Sequence, residues 1–175
     1  WDAKFIETGE ALADARNELV QELGPALDLA YSQVAGRPVP VTVLYDAPWR
    51  EQGLAAALQT ARRDELRRGV SLVGPHRDDL VLHLEQLPSR THASQGEQRS
   101  LALSLRLAAL RIVTNATGSP PILLLDDVFS ELDPDRSAAL LEHLPPGQTV
   151  LSSAAGLPPG ASPELVLRVS NATIR

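Results

Sequence analysis

The chain has 175 residues, of which 43% are hydrophobic and 22% charged, enough apolar material to bury a core. It contains no Cys, which excludes a disulfide framework, a thiolate metal site and a cysteine nucleophile. No apolar run approaches the roughly 18 residues of a membrane span, and an aromatic content of 3% argues against a surface built on stacked bases. A chain that opens on Trp1 and holds no Met reads as a piece of a larger protein. The net charge of −6 is uneven: residues 1–49 carry 3 cations against 8 acids, residues 112–175 carry 3 against 7, and residues 50–111 carry 10 against 7. A nucleic-acid footprint is therefore expected in the middle stretch.

In chain order, Leu12, Ala15, Leu19, Val20 and Leu23 recur at helical spacing. Gly24-Pro25 then predicts a break before a second short helix carrying Leu27, Ala30, Tyr31 and Val34. Val39–Tyr45 is β-branched and predicts a strand, and Leu54–Arg68 predicts a helix stopped by Gly69. Short strands are expected at Val70–Gly74 and Asp79–Leu84, flanking Pro75-His76-Arg77-Asp78. Gln95–Thr114 predicts a long helix, apolar on most sides and hence buried. Ile122–Asp126 reads as a central parallel strand covered on both faces. Asp133-Pro134 is a cap followed by proline at the first helical position, opening a helix to Leu144. Strands at Thr149–Ser152 and Leu165–Val169 complete an α/β pattern from about residue 70 onward.

Two segments carry chemistry. In Pro121-Ile122-Leu123-Leu124-Leu125-Asp126-Asp127 two carboxylates end a buried parallel strand, where α/β sheets bind ligands. An acidic pair capping a solvated strand end is the alternative. In Ser94-Gln95-Gly96-Glu97-Gln98-Arg99 a helix start offers free N–H groups to a phosphate, with Gly96 permitting close approach. Ser94 and Glu97 equally form a plain capping box. Arg62, Arg63, Arg67 and Arg68 suit DNA phosphates or a solvated helix end. His76 suits a hydrogen-bonded turn, and His83 and His92 lack a partner at metal-ligand spacing.

The order of these segments, followed by Ser130-Glu131-Leu132-Asp133, resembles the signature, Walker B and D-loop of an ABC-type ATPase. With Gly74-Pro75-His76-Arg77-Asp78-Asp79 ahead of them, residues 74–136 resemble the RecF family of ABC/SMC-like repair ATPases, in its C-terminal half. The resemblance implies the C-terminal part of an ABC-type P-loop NTPase head over residues 70–175, preceded by part of a helical arm domain over residues 1–69. It implies that Ser94, Gln95 and Gly96 face the γ-phosphate of ATP held by a second subunit, and that Asp126 holds Mg²⁺. Asp127 would act on the attacking water, slowly because it is shorter than the usual glutamate, and Asp133 would report across the dimer interface. The strand that carries a switch histidine in transporters ends here in Ser152-Ser153, and Ser152 would contact phosphate. The family pattern further implies ATP-driven homodimerisation, binding of double-stranded DNA near gaps, the partners RecR and RecO, an SOS-linked repair role and a cytoplasmic location.

A P-loop needs Gly-x-x-x-x-Gly-Lys-Ser/Thr, and the single lysine, Lys4, has no glycine loop near it. The isolated chain is therefore expected to be inactive as an ATPase. An SMC-like head is the alternative, disfavoured by the break expected at Gly24-Pro25. A non-enzymatic partner-binding module is the third reading.

Overall fold

The structure, a computed structural model, describes residues 2–170 and 173–174. Its spine is one long helix, α1 (Asp2–Ala35), which runs straight through the expected break and keeps Pro25 inside it. Proline removes one helical hydrogen bond and costs a helix interior about 3 kcal/mol. Leu23 and Leu27 flank it and are both buried in one core, at about 1.5–3 kcal/mol each, so packing outweighs the defect. Gly24 adds no Cβ to the crowding and faces Val43. Of the apolar positions read from the sequence, Leu12, Ala15 and Leu19 are exposed, while Val20, Leu23, Leu27, Ala30, Tyr31 and Val34 are buried; Ala13, not among them, is buried in place of its neighbours.

Strand β1 (Val41–Asp46) alternates buried and exposed positions and pairs antiparallel with β2 (Asp79–Leu84), from Val41 opposite Leu84 to Asp46 opposite Asp79. A short β3 (Leu87–Pro88) adds to β2. Between β1 and β2 lie a 3-10 turn at Pro48–Glu51 and helix α2 (Leu54–Arg68), closed by Gly69 in the left-handed conformation that its missing Cβ permits. The strand expected at Val70–Gly74 does not form. Its backbone groups are taken locally: Leu72 N–H donates to Glu65 Oε1 at 2.7 Å, and Arg77 donates twice to the Ser71 carbonyl. With those partners filled, no ladder has anything to pair with there.

After α3 (Ser89–His92), helix α4 (Gln95–Thr117) packs along α1 and ends three residues later than expected, at left-handed Gly118. Strand β4 (Leu123–Asp126) pairs in parallel with β5 (Thr149–Ser152), the two joined through α5 (Pro134–Glu142). Only one face of β4 is covered: Leu123 and Leu125 are buried with Leu103, Leu107 and Leu140, while Ile122 and Leu124 are 59% and 70% exposed. The expectation of two covered faces therefore fails. An unbroken aliphatic run is compatible with either burial pattern, and the elements of this chain reach one side alone. Of the last expected strand, residues 165–168 form none; only Val169–Ser170 (β6) pairs, with β7 (Thr173–Ile174).

Three buried clusters hold the molecule together, and α1 contributes to each. One joins α1, β1, β2 and α4; the second joins α1, α4, β4 and α5; the third joins Ala13 to Trp49 and α2. The first cluster spans residue 70, so residues on both sides of that position share one core.

Candidate nucleotide site

Asp126 is the last residue of β4 and stands in register with Ser152 at the end of β5. The two are joined directly, Ser152 Oγ donating to Asp126 Oδ1. The same hydroxyl oxygen accepts from the Asp127 N–H at 3.1 Å, and the Ser152 carbonyl accepts from it at 3.2 Å. Asp127 has turned out of the strand into the left-handed region, with φ 49 and ψ 23. Few side chains other than glycine, asparagine and aspartate adopt that conformation, and such strain gathers at functional positions. Ser130 stabilises it, donating to the Asp127 carbonyl at 2.8 Å and to its Oδ2 at 3.0 Å. Both carboxylates remain exposed at the carboxyl end of a parallel pair, the place where α/β sheets take ligands.

The second segment forms its helix start as a complete capping box. Ser94 Oγ accepts from the Glu97 N–H at 3.3 Å, and Glu97 Oε2 accepts from the Ser94 N–H at 2.8 Å and from its hydroxyl at 2.7 Å. These bonds from Ser94 hold the Glu97 carboxyl below its usual pKa, helped by the charges of Arg136 and Arg37. Capping and anion binding use different groups: the box occupies the Ser94 and Glu97 N–H groups, while exposed Gln95 and half-buried Gly96 keep theirs. The Gln95 side chain makes no hydrogen bond among the described residues.

The Glu131–Arg136 segment links the two halves of the site. Asp133 caps α5, its Oδ1 accepting from the Arg136 N–H at 2.9 Å, as Asp-Pro predicts. Glu131 pairs with Arg99 of α4 at 3.4 Å, and Arg136 reaches back across Gly96. So Ser94, Gln95 and Gly96 start a helix docked on the segment that holds Asp133, and Ser130 of the same loop holds Asp127. Ser130 and Arg136 were not singled out from the sequence. Ser130 had a signal, its place in Ser-Glu-Leu-Asp; Arg136 had none.

As a metal site the arrangement supplies hard oxygen donors. Among the described residues no group of three or more His, Cys, Asp and Glu is gathered to hold an ion. One carboxylate with a neighbouring hydroxyl suits magnesium carried in with phosphate and water, and does not suit a cage made of protein alone.

The family-specific string before β2 has a different role. The Asp78 side chain is 1% exposed, accepts from Tyr45 Oη and from Trp49 Nε1 (2.7 Å), and lies 3.7 Å from Arg16 Nη1. Arg16 also donates to the Pro75 carbonyl at 2.6 Å. Burial and the bond to Asp78 push the Tyr45 hydroxyl pKa up. His76 is an exposed turn residue whose ring lies beside Gly74, and Arg77 is held by Ser71. Of the candidate phosphate-binding arginines, Arg62 pairs with Asp2 at 3.7 Å and Arg67 with Asp64 at 2.8 Å.

A parallel β4–β5 pair ending in carboxylates, with a capped helix docked on the connecting loop, places the fold in the class of ABC-type ATPase heads. No protein-family model matches the chain. Curated proteins named "DNA replication and repair protein RecF" are 43% identical to it: that of Streptomyces avermitilis over 164 residues, 89% of this chain and 44% of the relative, and that of Frankia alni over 169 residues, with the same coverage. The protein of that name from Acidothermus cellulolyticus is 43% identical over 152 residues, 80% of this chain and 41% of its own. A solved structure described as the recombination mediator protein RecF-ATP in the RecFOR pathway superposes with a TM-score of 0.79 at 26% identity, over 99% of this chain and 48% of that one. The chain is thus a relative of RecF in sequence and fold, and it spans less than half the length of the RecF proteins it matches.

Proposed function

We propose that this chain is the signature and Walker B side of a RecF-like ATPase head that acts in DNA repair. The observation that carries the reading is the single hydrogen-bonded loop joining Asp126, Ser152, Asp127 and Ser130, continuous with the segment on which the start of α4 docks. In this reading Asp126 offers a carboxylate oxygen to magnesium, and Ser152 steadies that carboxylate with its one hydroxyl proton, which would turn from Asp126 to the phosphate when nucleotide binds. Magnesium, when bound with the nucleotide, neutralises phosphate charge. Asp127, held by Ser130, accepts a hydrogen bond from the attacking water and orients it. Gln95 and Gly96 present N–H groups to a nucleotide on a second copy, Ser94 caps the helix start that aims them there, and Asp133 lies in the loop that would cross that interface. ATP-driven homodimerisation, double-stranded DNA near gaps, RecR and RecO as partners and a cytoplasmic location follow from the same reading. So does the division into an arm part (1–69) and a head part (70–175), as segments of sequence that share one core. No described helix is long and apolar enough to cross a membrane.

The SMC-like alternative loses its first objection, since α1 is unbroken at Pro25. The RecF reading is favoured instead by the 43% identity over most of the chain. The test compares this chain with the longer protein that includes the remaining length of its relatives. The longer form is expected to dimerise and bind duplex DNA only with ATP, while the present chain hydrolyses no ATP above background. A longer form that ignores ATP in both assays refutes the proposal.

A further inference from the structure

Gly96 is out of place in the first turn of a well-capped helix, where alanine is favoured by about 1 kcal/mol. Its surroundings supply a reason. A Cβ built on Gly96 would stand 2.7 Å from Arg136 Nη1 and 3.9 Å from its Cζ, so the guanidinium lies in the notch that glycine leaves. Arg136 belongs to α5, forty residues on, and its side chain is only 25% exposed. Asp133 holds it from below, Oδ2 lying 3.5 Å from Nε, and neither Nη makes a hydrogen bond among the described residues. A cation over a helix N-terminus opposes the dipole of α4, and what attracts it there is the Glu97 carboxylate of the same first turn. A second contact of the opposite sense runs from Arg99 of α4 to Glu131. One arginine from each segment therefore crosses to the other.

We propose that Arg136 is a positioning residue: seated in the Gly96 notch, its guanidinium fixes the start of α4 against the Glu131–Arg136 segment, so that both meet the second copy's nucleotide as one surface. This rests on the nucleotide reading above and changes what Gly96 is for. The glycine makes room for a side chain of its own chain, and a Cβ there acts by unseating Arg136.

The test is a cycle of Gly96→Ala, Arg136→Ala and the double variant in the longer, ATP-binding protein, with Arg136→Lys as the conservative replacement. The readouts are the ATP concentration for half-dimerisation, by analytical ultracentrifugation, and the melting temperature of each variant. Each single alanine variant is expected to raise that concentration about tenfold, a typical coupling between sites, and the double variant no further. Lysine, which lacks the planar fork, should restore little of the loss. Losses that multiply to about a hundredfold in the double variant overturn the proposal, because Gly96 would then act without Arg136. So does a Gly96→Ala variant that dimerises as well as its parent. If the parent does not dimerise with ATP at all, the nucleotide reading fails on its own. The notch is then judged by melting temperatures in the present chain, where additive shifts overturn it.

Discussion

The chain contains two Asp-Asp pairs at strand ends, and they share almost nothing. Asp78-Asp79 opens β2 and Asp126-Asp127 closes β4. Asp78 is buried, with a phenol and an indole donating to it and a guanidinium nearby, all from the first 49 residues. Asp79 is exposed and caps its own strand through the Leu80 N–H. At the other pair both carboxylates face solvent, bound by serine hydroxyls alone, and one of them is twisted into the left-handed region. Donors that fill a carboxylate and exclude water build a structural post. Hydroxyls that orient a carboxylate and leave it open build a place for chemistry. The Gly74–Asp79 string is thus, at Asp78, a device of folding, while the Asp126-Asp127 string keeps its carboxylates open for the chemistry proposed above.

The comparison breaks most visibly at Asp78. Asp78→Ala leaves the Trp49 N–H and Tyr45 hydroxyl without their acceptor and Arg16 without its counter-charge. A loss of about 3–5 kcal/mol is expected. Urea unfolding followed by Trp49 fluorescence measures it. Asp79→Ala, in the same dipeptide, should cost under about 0.5 kcal/mol, and equal losses at the two positions would abolish the distinction drawn here.

The reverse pattern is expected at the second pair. In the longer form proposed to bind ATP, Asp127→Asn should lower ATP turnover by about 10²-fold or more, the usual contribution of a positioned proton acceptor. Its unfolding midpoint should move little, since asparagine keeps an oxygen for Ser130 and tolerates the left-handed backbone. A variant that unfolds early but turns over normally when folded would make Asp127 a structural residue like Asp78.

How far these roles were legible depends on the distance over which each is decided. Helix α2 and its Gly69 stop, the Asp133-Pro134 cap, and strands β2 and β5 followed from local spacing, because local geometry is what spacing encodes. The positions of Ser94 at a helix start and of Asp126 at a strand end were legible for the same reason. Pro25 misled, since its local cost is outweighed by Leu23 and Leu27 packing against residues far along the chain. Val70–Gly74 misled because Glu65 takes the Leu72 N–H and Arg77 takes the Ser71 carbonyl, backbone groups that otherwise look ready for a ladder. The Asp78 post and the Arg136 notch join residues 29 to 62 and 40 positions apart, and nothing in the spacing of apolar residues records such pairs.

The smallest expected effect lies at the helix start, where a structural cap and a proposed ligand surface coincide. Ser94→Ala removes the cap, at about 1 kcal/mol near neutral pH. The effect should depend on pH, because bonds from Ser94 are the main reason the Glu97 carboxyl titrates below its ordinary range, with Arg136 and Arg37 adding to it. A group whose pKa is lower folded than unfolded contributes stability that is fully present above the unfolded value, about 4.3 for glutamate. That contribution fades as pH falls through the folded value. Glu65 is likewise held below its ordinary pKa, chiefly by the Leu72 N–H. The difference between wild type and Ser94→Ala therefore isolates the Glu97 contribution. Unfolding free energies in urea at pH 7, 5, 4 and 3 should show that difference shrinking below about pH 4.3. A difference that stays constant to pH 3 would mean that Ser94 stabilises the helix by accepting the Glu97 N–H alone, leaving the carboxylate free of the cap.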